Sequence, residues 1–236
     1  ERRRVEENGH ALLGIGKSDE HAATAGGERQ RERRRDGGLA RAPLAGYEHE
    51  ATFFEWGHPE MGSAAETDEA PLLPQSGSGG RMKVALLQMN PVIGRVGQNA
   101  DKLLEFADRA RAGGADLAVA SELTIAGYPP RDLLDRPGFV NEIERETRRV
   151  VEHAPSDLVL VFGTVSRARA PGKSLMNSAL AVTKGSVIAR ADKRLLPTYD
   201  VFDEARHFEP GTGRTTLTVC GVRVTLSICE DAWGDV

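Results

Sequence analysis

Residues 82–236 read as an α/β protein in which helices cover one side of a mixed sheet. Three observations predict this. Short apolar runs alternate with helical periodicity in the first half; the second half turns to paired runs joined by tight turns; and several runs are continuously apolar, as buried strands are.

The elements follow in order. Residues 83–89 (KVALLQM) form a strand. Asn99 then caps a helix whose Leu103, Phe106, Ala107 and Ala110 recur at helical spacing, and Gly113 and Gly114 end it. DLAVAS is a buried strand that runs into Glu122. The Pro-rich loop GYPPRDLLDRPG leads to a second helix, with Phe139 or Val140, Ile143, Thr147, Val150 and Val151 inward, that stops before Pro155. DLVLVFGTV is another buried strand. A loop with Pro171 and Gly172 precedes the pair LMNSALAVT and SVIARA, joined at Lys184 and Gly185. Residues 193–213 show little periodicity, and the hairpin TTLTVC/VRVTLSIC closes the series. No internal repeat is present.

The 236 residues are 39% hydrophobic and 28% charged, close to the averages for a globular chain. With 31 basic against 35 acidic side chains, no large field draws nucleic acid or anionic lipid, and neither is expected as a partner. No apolar run approaches the ~18–20 residues that span a bilayer, and the opening ERRRVEENGH lacks the apolar stretch of a secretory signal. A cytoplasmic protein is the expectation.

The chain changes character at Met82. Residues 1–81 are rich in charge, Gly and Ala without sustained period, and PLLPQSGSGGR reads as a flexible linker. They are expected to be a disordered or non-native extension that builds no core. Glu6, Glu7, Glu28, Glu32 and Asp36 interrupt the arginine triplets at residues 2–4 and 33–35, which favours a solvated tail over a nucleic-acid patch.

Cys220 and Cys229 are the two cysteines. If they flank the last hairpin strand, the chain runs away from the turn at ~3.3 Å per residue, beyond the ~7 Å Cα separation a disulfide tolerates, so Cys229 is expected to be a free thiol. Their spacing also fits no zinc motif.

Three reactive residues stand where strands end: Glu122, Lys193 and Cys229. Strand ends of one sheet can converge from distant parts of a sequence. A thiol becomes a nucleophile when a cation stabilises its thiolate or a base takes its proton; Lys193 suits the first role and Glu122 the second. The set fits attack on a carbon that carries a nitrogen leaving group, with Lys193 and the backbone N–H after Cys229 holding the oxyanion. Singly, each has a plain structural reading: a core cysteine, a solvated loop glutamate, a surface lysine.

The surrounding words strengthen the chemical reading. SELTIAGYPPRDLL, KRLLPTYDVFDEARHFEPG and SICEDAW occur in this order and closely resemble the Glu, Lys and Cys motifs of the nitrilase, or carbon-nitrogen hydrolase, superfamily. Within it the wording is most similar to the glutaminase domain of the glutamine-dependent NAD synthetases. The resemblance covers residues 82–236 and none of residues 1–81. It implies an α-β-β-α sandwich, here truncated at the C-terminus, with Glu122 as base, Lys193 as the lysine and Cys229 as nucleophile. Glu204 matches a further glutamate that many members hold near the lysine, and a structural salt bridge is an equal reading of it. By position, Tyr128, Tyr199, Phe202, Glu230 and Trp233 resemble residues that shape the glutamine pocket.

The resemblance also implies glutamine as substrate, a homo-oligomer, and a synthetase domain in the same polypeptide that uses ATP and magnesium to amidate nicotinic acid adenine dinucleotide. No pyrophosphatase loop occurs in this sequence; SGSGG at residues 76–80 lacks the Asp-Ser such a loop needs. No cofactor is therefore expected within the chain itself. Two other readings stand beside this one: a separate amidase or carbamoylase acting on a small amide, and a non-catalytic module that keeps the fold.

Overall fold

The computed structural model describes residues 81–169 and 171–234, together with the strands His10–Ile15 and Ala51–Gly57. Nine strands, numbered in chain order, make two sheets among these residues. The larger contains β2 (Ala51–Gly57), β3 (Arg81–Leu87), β4 (Leu117–Val119), β5 (Val159–Arg167), β6 (Leu175–Thr183) and β7 (Ser186–Asp192), in that spatial order. The smaller runs β1 (His10–Ile15), β9 (Val222–Ile228), β8 (Thr215–Val219). In the larger sheet β3, β4 and β5 are parallel, as crossover helices require, and β5, β6 and β7 form an antiparallel meander.

The side-chain alternation of the strands explains the layering. On one face of the larger sheet Ala85, Leu87, Ala118, Leu160, Phe162, Leu180 and Val182 pack with helices α1 (Val96–Ala112) and α2 (Pro137–His153). On the other, Met82, Val84, Leu117, Val119, Val159, Val161, Ala179 and Ala181 meet Val219, Val222, Val224, Leu226 and Ile228 of the smaller sheet. The central strands are thus covered twice, which is why they read as unbroken apolar runs. Each fully buried Leu or Phe in these layers contributes roughly 1.5–3 kcal/mol. The order helix, sheet, sheet supplies three layers of the expected sandwich; a second helical layer is not among the described residues. No described helix is long and apolar enough to cross a membrane.

The helices carry the expected apolar stripes. Leu103, Phe106, Ala107 and Ala110 of α1 are buried, as are Val140, Ile143 and Val150 of α2, while Thr147 hydrogen-bonds Thr164 of β5 at 2.7 Å. One local expectation is corrected. Asn99 does not cap α1, which begins three residues earlier at Val96. Its buried amide instead bridges two loops: Oδ1 accepts the Val92 N–H at 2.9 Å, and Nδ2 donates to the carbonyls of Val92 at 2.9 Å and Ile125 at 3.1 Å. The buried Ile125 carbonyl needs a partner, and an amide inside the helix supplies donor and acceptor together. Strand β4 is likewise shorter than DLAVAS, ending at Val119 before the chain turns.

Two short strands lie within the segment expected to stay outside the core. Strand β1 pairs in parallel with β9, and β2 pairs antiparallel with β3. The other residues of that segment, and the readings placed on them, lie outside the described residues.

One glycine decides how closely the Glu122 loop can lie on the sheet. A Cβ on Gly163 of β5 would stand 2.2 Å from the Leu123 nitrogen and 2.7 Å from the Glu122 carbonyl carbon, both backbone atoms. The contact is sealed by Gly163 N–H donating to the Ser121 carbonyl at 3.1 Å. Gly163→Ala is therefore expected to destabilise the fold by about 1–3 kcal/mol through overpacking. Chemical denaturation reads this directly, and an unchanged midpoint would show that the loop does not rest on β5 as described.

Candidate active site

Each of the three chemical residues follows a strand. Glu122 lies in the turn after β4, Lys193 directly follows β7, and Cys229 directly follows β9. Because β7 and β9 belong to facing sheets, their ends open at one edge of the stack, and the turn after β4 closes over the same edge.

Glu122 and Lys193 are almost wholly removed from solvent, at 2% and 0% exposure. The Lys193 Nζ donates to Glu122 Oε1 at 2.8 Å and to Glu204 Oε1 at 2.9 Å, with Glu204 Oε2 at 2.7 Å. Glu204 opens α3 (Glu204–His207), a single helical turn in the aperiodic segment after Lys193. The Tyr128 hydroxyl donates to Glu204 Oε1 at 2.9 Å. The further glutamate expected near the lysine is therefore one of its two ionic partners.

The charges explain the protonation pattern. Burial alone would lower the Lys193 ammonium, yet Glu122 and Glu204 outweigh it and hold the group above its ordinary value. Burial raises the Glu122 carboxyl and Glu204 adds to this, against the pull of Lys193 and Asn177. Burial and the charges of Glu204 and Glu122 also keep the Tyr128 phenol protonated.

Cys229 is a free, half-buried thiol with a backbone φ of +48°, a conformation uncommon outside glycine that concentrates at functional turns. The turn swings the residue off the end of β9 into a short 3-10 segment, Cys229–Ala232. Burial first, then Glu122 and Glu204, push the thiol up to about 11, against Lys193 and the Glu230 backbone N–H, which favour the thiolate. The lysine alone does not create a resting thiolate, because it is shared with two carboxylates.

Two residues that sequence reasoning passed over hold this arrangement. Asn177 of β6 donates from Nδ2 to Glu122 Oε1 at 2.7 Å, and its backbone carbonyl accepts the Lys193 N–H at 2.8 Å. A polar amide within the apolar run LMNSALAVT was the available signal. Asp231, buried, accepts the Leu195 N–H at 2.7 Å and the Arg194 N–H at 3.0 Å, which ties the chain after Lys193 to the turn that carries Cys229. It lies inside the SICEDAW motif, two residues after the cysteine. Gly211 completes the lysine's backbone support: its N–H donates to the Lys193 carbonyl at 2.8 Å, and a Cβ there would meet the Asp192 carbonyl oxygen at 2.2 Å.

The remaining expected pocket residues spread outward. Tyr199 packs edge-on against Phe202 at 5.5 Å between ring centroids, and Phe202 meets Tyr128 at 6.4 Å. The Tyr199 hydroxyl donates to Glu230 Oε2 at 2.9 Å on the exposed rim. Trp233 is 84% exposed. A cavity of about 350 Å³ lies beside the cluster, bordered by Leu123, Tyr128, Phe202, Glu204, Arg206 and His207 among others; Cys229 is not in its lining.

Fold and side chains together define an α/β protein of two facing sheets with a cysteine at a strand end and a buried glutamate–lysine–glutamate cluster. Residues 83–235 match the carbon-nitrogen hydrolase family, and the chain belongs to it. Over 156 residues it is 41% identical to a glutamine-dependent NAD(+) synthetase of Synechocystis, covering 64% of this chain and 28% of that protein's length. A relative of the same name from Acinetobacter baylyi is 36% identical over 151 residues, 64% of this chain and 27% of the relative. Among solved structures, the glutamine-dependent NAD+ synthetase of Acinetobacter baumannii in complex with ADP superposes with a TM-score of 0.61 at 37% identity, covering 65% of this chain and 28% of that one. An amidase from Nesterenkonia shares the fold, with a TM-score of 0.54 at 22% identity over 62% of this chain and 55% of the amidase. The chain thus spans little more than a quarter of the synthetases it matches.

Because the thiol is protonated at neutral pH, its alkylation follows the thiolate fraction. Labelling of Cys229 by iodoacetamide, followed by peptide mass spectrometry, is expected to quicken roughly tenfold per pH unit from pH 7 toward 10. A rate independent of pH over that range would mean that the thiolate is already formed.

Proposed function

We propose that this chain hydrolyses the side-chain amide of glutamine through a Cys229 thioester and supplies the ammonia for amidation of nicotinic acid adenine dinucleotide to NAD. The observation that carries the hydrolytic part is the buried Glu122–Lys193–Glu204 cluster next to a protonated thiol on a positive-φ turn. The choice of glutamine rests on the 41% identity to a glutamine-dependent NAD(+) synthetase.

The steps follow from the donors and acceptors present. Glu122 takes the Cys229 proton as the sulfur attacks the amide carbon. Lysine has three N–H donors; the two carboxylates occupy two, which leaves one for the tetrahedral oxyanion beside the Glu230 N–H. Glu122 returns its proton to the departing ammonia. It then takes a proton from water, whose oxygen attacks the thioester carbon, releasing glutamate and restoring the thiol. Tyr199 and Glu230 on the rim suit the substrate's α-amino end, and Phe202 its apolar stem.

Among the described residues no group of three His, Cys, Asp or Glu side chains is disposed to hold a metal ion. By similarity to the glutamine-dependent NAD(+) synthetases, the proposal places ATP and magnesium in a synthetase domain of the same polypeptide, in a homo-oligomer of the cytoplasm.

Ammonia release from glutamine by the intact gene product tests the reading. Cys229→Ala is expected to abolish release, and Lys193→Ala to lower kcat by roughly 10²–10³, the usual effect of losing one oxyanion donor. Equal release by the cysteine variant and the unaltered protein would remove Cys229 from the reaction.

A further inference from the structure

The two oxygens of Glu122 have unequal surroundings. Oε1 receives two donors, Lys193 Nζ at 2.8 Å and Asn177 Nδ2 at 2.7 Å. Oε2 is buried and has no hydrogen-bond partner among the described residues. A carboxylate oxygen buried without a donor is unfavourable, and such exceptions mark positions kept free for a task. Two convergent donors stabilise negative charge on Oε1 and make it the poorer proton acceptor.

The donors differ in kind. Lys193 is shared with Glu204 and is needed for charge balance. Asn177 is neutral, 1% exposed, and has no proton to gain or lose in the working range. It also lies on β6, whose ladder holds it between β5 and β7, and its own carbonyl accepts the Lys193 N–H at 2.8 Å. One residue therefore sets both the side chain of the base and the backbone of the lysine.

We propose that Asn177 is a positioning residue that pins Glu122 through Oε1 and so assigns the proton-accepting work to Oε2. This rests on reading Glu122 as the base. It adds which oxygen acts and what selects it. Asn177 touches no reacting atom; it acts by fixing the carboxylate plane and by favouring its ionised form. The charged and titratable groups that face Glu122 are Lys193, Glu204, Tyr128 and Cys229, and Asn177 is the uncharged donor among its neighbours.

Three variants of the intact gene product separate the possibilities. Asn177→Asp keeps the shape and replaces the donor with a second carboxyl facing Oε1; Asn177→Ala removes the donor; Asn177→Ser retains a shorter one. The first readout is the titration of the Glu122 side-chain carbon by 13C NMR, which needs no turnover. Glu122 is expected to protonate at higher pH in Asn177→Ala, at higher pH still in Asn177→Asp, and between Ala and the native protein in Asn177→Ser. The second readout is the pH profile of kcat/KM for ammonia release from glutamine. Its acidic limb should move up in the same order, with kcat falling roughly ten- to hundredfold, the range expected for one hydrogen bond to a charged group, and KM changing less than kcat. A Glu122 titration that is the same in Asp, Ala and native proteins would overturn the proposal even if all three release ammonia. So would a variant that changes KM alone. A native protein that releases no ammonia while its Glu122 titration responds to Asn177 would refute the glutaminase reading and leave the pinning intact.

Discussion

A fully buried ammonium between two carboxylates is the constraint around which this molecule is organised. Removing an ion from water carries a penalty of several kcal/mol even after relaxation, and an ion pair offsets it only when geometry and hydrogen bonding are good. Here Lys193 Nζ lies within 2.9 Å of oxygens from both Glu122 and Glu204. Removing Lys193 would strand two buried carboxylates, and taking the partner from a buried charge typically costs about 3–5 kcal/mol. The three residues come from separate parts of the chain, so the ion triad also ties together the turn after β4, the end of β7 and the first turn of α3. Gly163 and Gly211 give the close backbone approaches this requires, and Asp231 joins the lysine segment to the cysteine turn.

The same electrostatics shape the chemistry. Burial, and then the surplus of negative charge that two carboxylates and one ammonium leave near Cys229, raise the thiol, while the carboxylates keep the lysine charged. A site of this kind gains its thiolate as the carbon is attacked, by transfer to a base whose own affinity for protons is raised by burial. In the proposed reaction the lysine serves the oxyanion, a role that needs a permanent charge and one unengaged N–H.

How much of this was legible beforehand depended on the range of the interaction. The double coverage of β4 and β5 was written in continuous apolar runs, and the stripes of α1 and α2 in their spacing, because both follow from local geometry. Glu122, Lys193 and Cys229 were legible through the words around them. Asn99 was misread as a cap because a cap and an amide bridging two loops look alike until the helix start is known. Asn177 and Asp231 act through hydrogen bonds to residues 55, 36 and 37 positions away, for which no local pattern exists. The segment after Lys193 has no periodicity because it winds about the site and lies in no layer; its one helix is four residues long.

The proposed reaction depends on the sulfur of Cys229 becoming covalently joined to the carbon of an amide substrate. Rapid acid quenching of the intact gene product during turnover with glutamine, followed by peptide mass spectrometry, reads this directly. Cys229 alone is expected to carry an added mass equal to glutamine less ammonia, and Cys229→Ala none. Steady ammonia release with Cys229 unmodified at every quench time, under conditions in which hydrolysis of the thioester is slow, would contradict it.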